Sequence, residues 1–229
     1  MTPASFQPVL WPCPTPDGTA REYALTFAGG RVQRLLVVPA LFDEANKLRH
    51  FTVAVMRRLD EAGIDAFLPD LPGCNESVVP LETQTLAGWC EAAEMVAAHF
   101  GATHVLSIRG GSLCAPAELP AWRYAPATGS AILRAMLRAR VIASKEAGIE
   151  ETRELLLERG RETGLELAGY RLGAAMIREL EAAEPPGGVA LANIAQSDVG
   201  GAGLWLRAEP DHDPAQAEAL AAIVARRDL

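Results

Sequence analysis

The residues with the most chemical promise lie at positions 107–114, where Ser107, Ile108, Arg109, Gly110, Gly111, Ser112, Leu113 and Cys114 follow an apolar run. A nucleophile elbow has the form G-x-S-x-G, because a strand that turns sharply into a helix tolerates only small residues on either side of the attacking group. Here the small residues stand in place and Arg109 fills the nucleophile slot. A guanidinium stays protonated, with five N–H donors and no acceptor, so it can bind an anion but cannot attack an acyl carbon. Two readings of Arg109 stand side by side. In one it binds a carboxylate, phosphate or sugar acid, helped by backbone N–H groups near Gly110 and from the loop of Leu41 after Pro39. In the other it ties that loop to Asp43, Glu44 or Asp70. Asp43 and Glu44 would repel a developing oxyanion, and their expected partners are Arg109, Lys47 or Arg49.

Ser112 and Cys114 are the fallback nucleophiles. With His212 as base and Asp198 or Asp211 as its orienting acid, they would make an esterase, thioesterase or acyltransferase with displaced groups. A lone Ser or Cys is more often a turn or core residue, and Asp211-His212-Asp213 before a proline is more often a solvated turn whose Asp213 caps the last helix. Tyr170 and Trp122 are candidates to line a pocket, although an aromatic in an apolar segment is more often core. The remaining histidines are expected in structural roles. No residues have metal-ligand spacing, and neither Gly110-Gly111 nor Gly200-Gly201 matches a dinucleotide or P-loop pattern, so no metal and no cofactor is expected. The four cysteines lie far apart with no C-x-x-C pair, which points to reduced thiols.

These groups need a scaffold that brings strand ends together. Residues 34–39, 64–69 and 103–108 are apolar without alternation, as strands buried on both faces of a parallel sheet are. Amphipathic helices are expected over 47–63 and 85–100, each closed by glycine. Strand alternating with helix predicts an open parallel sheet, with ligands at the carboxyl ends of its strands. Residues 1–20, rich in Pro and Thr, read as an extended N-terminal arm. Residues 21–229 read as a single domain, with a helical lid over about 127–185 that is rich in Arg and Glu. Strands are expected at 165–168, 189–194 and 204–208, with helices at 172–183 and 214–227.

The 229 residues carry 21 Lys plus Arg against 29 Asp plus Glu, a formal net charge of −8, which disfavours a partner role with nucleic acid or anionic lipid apart from a local basic patch. No window is long and apolar enough to span a bilayer and the N-terminus lacks a signal-peptide pattern, so a cytoplasmic location is expected.

The run Val37-Val38-Pro39, then Asn46-Lys47 and Arg49, Leu68 to Cys74, Arg109-Gly110-Gly111, Leu137 to Arg140 and Glu166 to Leu172 resembles the α/β-hydrolase-like proteins known as exosortase A system-associated hydrolases, second type. The resemblance runs from about Leu35 onward. It implies an α/β-hydrolase-like fold, mostly parallel and flanked by helices, and an association with bacterial exopolysaccharide production and protein sorting. It supplies no substrate. In the superfamily the triad follows the order nucleophile, acid, histidine. The chain departs from that pattern: too few residues follow Gly111 for the usual helix, and His212, the only histidine after Arg109, lies where the acid is expected. The final strand and its histidine loop read as absent. The reading is therefore an accessory protein that binds a small anionic or acyl ligand through Arg109. The displaced-site enzyme and a structural homodimer, paired through the sheet edge left open by the lost strand, are its alternatives.

Overall fold

A computed structural model describes residues 6–15 and 18–226 of the chain. The strands β1 (Gln7–Thr15) and β2 (Gly18–Phe27) are followed by β3 (Arg34–Val38), helix α1 (Asp43–Glu61), β4 (Asp65–Pro69), α2 (Leu86–Phe100), β5 (His104–Ile108) and β6 (Ala121–Tyr124). An excursion follows, made of α3 (Gly129–Glu146), α4 (Arg153–Thr163), the hairpin β7 (Leu165–Leu167) and β8 (Tyr170–Leu172), and α5 (Ala174–Ala182). The chain then returns through β9 (Leu191–Ile194), the short α6 (Gln196–Val199) and α7 (Pro214–Arg226).

Seven strands form one sheet in the order β1-β2-β4-β3-β5-β6-β9. β1 and β2 pair antiparallel, as do β2 and β4; all the other pairs are parallel. This is the mostly parallel, helix-flanked α/β fold that the sequence predicts. The unalternating runs have the expected cause, since Leu36, Val38 and Val105 join the core beneath α2 while Leu35, Val37, Leu106 and Ile108 join the core beneath α1 and α7. The helices are well specified locally. Thr85, Thr128 and Thr152 cap α2, α3 and α4 by accepting a backbone N–H three residues on, and Gly101 ends α2 at φ 58°, where a side chain would be strained. Chain order reverses beside β3, with β4 on one side and β5 on the other. The exits of β3 and β5 therefore flank the crevice where such sheets take ligands.

Two expectations are corrected, and a third, the short strand at 165–168, is found as β7 with a partner the sequence did not disclose. The proline-rich stretch read as an arm contains β1, a nine-residue strand with every residue in register opposite β2. Pro8, Pro12 and Pro14 share one parity of that strand. A proline has no N–H, so an unbroken ladder requires these residues to face away from β2, leaving an outer edge with few donors. Residues 204–208 do not form a strand; Leu204–Leu206 is a single 3-10 turn after a glycine-rich bend, and β9 ends the sheet. Residues 165–168 belong to a two-stranded hairpin turned through Ala168 and Gly169, both at positive φ. Among the described residues β9 is paired on one side only, by β6.

Candidate functional site

β5 delivers Arg109 at φ 52°, in the left-handed region that non-glycine residues seldom occupy. Across the crevice, the exit of β3 places Phe42 at φ 55° immediately before α1. Strain of this kind persists only where its surroundings hold it. The two glycines after Arg109 are part of that hold. A Cβ on Gly111 would lie 2.2 Å from the Pro39 carbonyl oxygen, and one on Gly110 would lie 2.6 Å from Ile132 Cδ1. The elbow thus needs small residues where the sequence has them, and a single 3-10 turn, Arg109–Leu113, stands where a longer helix would follow.

Arg109 is firmly bound within the protein. Its Nε and one terminal nitrogen donate to the two Glu44 oxygens at 3.0 and 2.9 Å, and the other terminal nitrogen donates to the Ala125 carbonyl at 2.8 Å. Its Cζ stands 4.1 Å from the centre of the Trp205 ring. The fork-to-fork carboxylate pair and the stacked ring are the arrangements in which Arg is strongest. Three of the five N–H groups are used, so the tie to Glu44 is present, and the vacant anion hole that the other reading required is already filled by a carboxylate. Asp43 pairs with Lys47 at 2.7 Å, while Arg49 reaches Asp70 at 3.1 Å.

These groups border a cleft of about 320 Å³ between the strand exits and α3. Leu41, Phe42, Ile132, Met136, Trp205 and Leu206 give it a mainly apolar wall, interrupted by the Arg109–Glu44 and Lys47–Asp43 pairs. Its size falls at the lower end of small-molecule sites, about 300 to 1,000 Å³. Gly110 lies buried behind this wall. Tyr170 borders a separate pocket of about 70 Å³ beside Cys74, its hydroxyl accepting from Asn46 at 2.7 Å and its ring set edge-on to Phe42. Trp122, the other aromatic candidate, is fully buried in the core beneath α1 and α7.

The candidate catalytic groups are not assembled. Ser112 is fully buried and its hydroxyl shares a 3.2 Å hydrogen bond with Ser107. Cys114 is buried too, its thiol donating to the Gly111 carbonyl at 3.6 Å, and burial pushes its pKa far upward, away from the reactive thiolate. Burial likewise raises the Cys13 thiol to about 11 and the Cys74 thiol to about 12. All four cysteines are free thiols. His212 is exposed at the start of α7, its ring 4.0 Å from that of His50 on α1. Asp211 accepts from the His212 backbone N–H at 2.8 Å and pairs loosely with Arg207 at 3.5 Å. Asp198 accepts from the Ala195 N–H at 2.8 Å, capping α6, and Asp213 accepts from the first N–H groups of α7. The solvated turn and cap is what the structure contains at 211–213. Among the described residues no group of three His, Cys, Asp or Glu side chains could hold a metal ion, and no helix is long and apolar enough to cross a membrane.

Trp205 and Ala125 were not legible as site residues. Trp205 stood inside an expected strand, and only a tryptophan next to a glycine-rich bend hinted at a plug; Ala125 contributes a backbone carbonyl, which side-chain identity does not disclose.

No family model matches the chain, and no curated protein matches it. Similar solved structures include Est1E from Butyrivibrio proteoclasticus with ferulic acid bound, at 15% identity over 70% of this chain and 67% of that one, TM-score 0.48. The α/β hydrolase GrgF from Penicillium sp. sh18 is 16% identical over 68% of this chain and 64% of its own, TM-score 0.47. An esterase of Pyrococcus furiosus is 11% identical over 62% of this chain and 56% of its own, TM-score 0.44. The chain spans about three fifths of the length of such neighbours.

Proposed function

We propose that the chain is a non-hydrolytic α/β-hydrolase-like protein that holds an acyl ligand in the cleft beneath α3. The observation that carries this reading is the state of Arg109, which sits in the elbow with a carboxylate, a carbonyl and an indole already around it. An incoming anion would have to compete with Glu44 for the same fork. An acyl carbonyl would need only one of the two N–H groups that remain, and its chain would meet the apolar wall. Ser112 and Cys114 lie buried with other partners, which supports binding over turnover. The motif resemblance supports an accessory role linked to bacterial exopolysaccharide and exosortase systems, in the cytoplasm.

The test pairs turnover with binding. The purified protein is expected to leave short-chain p-nitrophenyl esters and thioesters unhydrolysed while binding dodecanoyl glycerol, with a change in intrinsic tryptophan fluorescence that Trp205→Phe removes and calorimetric binding that Ala135→Phe weakens by filling the cleft. Turnover that disappears in Ser112→Ala or Cys114→Ala would overturn the reading in favour of a displaced-site enzyme.

A second reading is favoured by the edge of the sheet. Among the described residues β9 has no outer partner; it contains no proline, and Leu191 within it and Val189 beside it are exposed, so two copies could pair there. A monomer by light scattering at micromolar concentration removes it.

A further inference from the structure

We propose that the outer face of α3, with the start of α4, is a phosphate headgroup site for an amphiphile whose chain occupies the cleft. This rests on the cleft reading above and names the ligand class. A groove of about 650 Å³ lies between α3 and α4, bordered by Arg134, Arg138, Ile142 and Arg153. It shares Ala131 and Ala135 with the cleft that holds Arg109. Where α3 separates the two spaces it therefore presents methyl groups, too short to fence them apart. A shallower groove of about 290 Å³ shares Arg134 and Arg153 and continues along Leu133 and Leu157.

The charges at this groove are of a kind that would attract an anion. In the excursion Arg140 and Arg159 pair with Glu151, and Arg161 pairs with Glu181. Among the described residues Arg134 and Arg138 take part in no ion pair, although they lie one turn apart on α3, where like charges repel. Arg153 has only a loose contact, 3.8 Å, with its neighbour Glu154, which is exposed. Glu151, the other acid at the groove, is engaged by Arg140, Ser144 and Arg159. In a chain of net charge −8, two unneutralised guanidinium groups over an apolar groove are an attraction for an anion. Arginine forks match phosphate oxygens in pairs. The inner end of the cleft, by contrast, is neutralised by Glu44. The charged end of the ligand belongs outside and the acyl or alkyl chain inside, crossing α3 over Ala131 and Ala135.

Calorimetric titration with dodecyl phosphate, dodecanol and inorganic phosphate, each below any aggregation threshold, tests this on the full chain. Dodecyl phosphate is expected to bind at least about tenfold more tightly than dodecanol, the least that one charge-assisted hydrogen bond would give. Inorganic phosphate alone should bind far more weakly than either. The double variant R134Q/R138Q should lose the preference and keep its dodecanol affinity, whereas R57Q/R226Q, which removes two charges elsewhere, should retain it. Equal binding of the two amphiphiles by the wild type, or a preference that survives R134Q/R138Q, overturns the headgroup site and leaves the cleft reading standing. Binding of neither amphiphile overturns both.

Discussion

The two walls of the cleft differ in how their charges are partnered. The elbow wall is tight: Phe42 and Arg109 hold positive φ, Gly111 leaves no room for a methyl group, and the Arg109 fork is filled. The α3 wall mixes Ala131, Ala135 and Ala139 with Ile132 and Met136 along the cleft, carries unpaired arginines outside, and meets α4 through the Glu151 hub as well as through the core around Leu133, Leu137 and Leu156. The difference teaches that the Arg109 turn is satisfied from within the protein, while the uncompensated positive charge beside the cleft lies on the excursion.

The same small substitution should separate the Arg109 turn from the hairpin of the excursion most clearly. Gly111→Ala would drive a methyl group against the Pro39 carbonyl, and the expected loss is about 3 kcal/mol or more in urea unfolding. Gly169→Ala, at φ 82° in the β7–β8 turn with open space around it, should cost only about 1 to 2 kcal/mol of left-handed strain. Equal losses would dissolve the comparison. Glu44→Gln should cost about 1 kcal/mol, since both partners keep some contact with water, and should free Arg109 so that simple carboxylates begin to bind. Acetate binding that is unchanged by that substitution would show that the fork is not what Glu44 occupies.

The smallest effect concerns Glu151. Hydrogen bonds from Arg140 and then Ser144 hold its carboxyl at about 2, below its ordinary value. A depressed folded pKa means that the ionised form is favoured by folding. Its contribution is complete above the ordinary carboxyl range and disappears as pH falls from there through about 2. Hydrogen-exchange protection over 129–163, taken relative to the intrinsic rate at each pH, should therefore fall in acid before that of the sheet, and Glu151→Gln should remove that difference. Simultaneous loss of protection in sheet and excursion would refute the role of Glu151 as the pH-dependent tie between α3 and α4.

Much of the frame was legible because it is written in local patterns. The unalternating runs at 34–39 and 103–108 suggested strands buried on both faces, and Gly110-Gly111 matched the small residues that a sharp strand-to-helix turn tolerates. β1 was hidden because its prolines resemble linker chemistry, and the fact that an edge strand can spare those N–H groups emerges only when β2 lies beside it. Residues 204–206 misled for the opposite reason. Their apolar spacing suited a strand, but the indole was recruited by a cation nearly a hundred positions earlier, a demand no local window contains. Glu44 was among the partners expected for Arg109 because both lie at adjacent strand exits. The exposed setting of His212 agrees with the aspartates around it, which already read as a turn.

The prolines of β1 have a consequence for how copies of this protein can accumulate. A sheet with two receptive edges can recruit neighbours at both and propagate into a filament. With one edge short of donors, joining two molecules through β9 would leave proline-bearing flanks outermost, where a further strand finds few N–H groups to pair with. Growth along the sheet beyond a pair is thereby disfavoured.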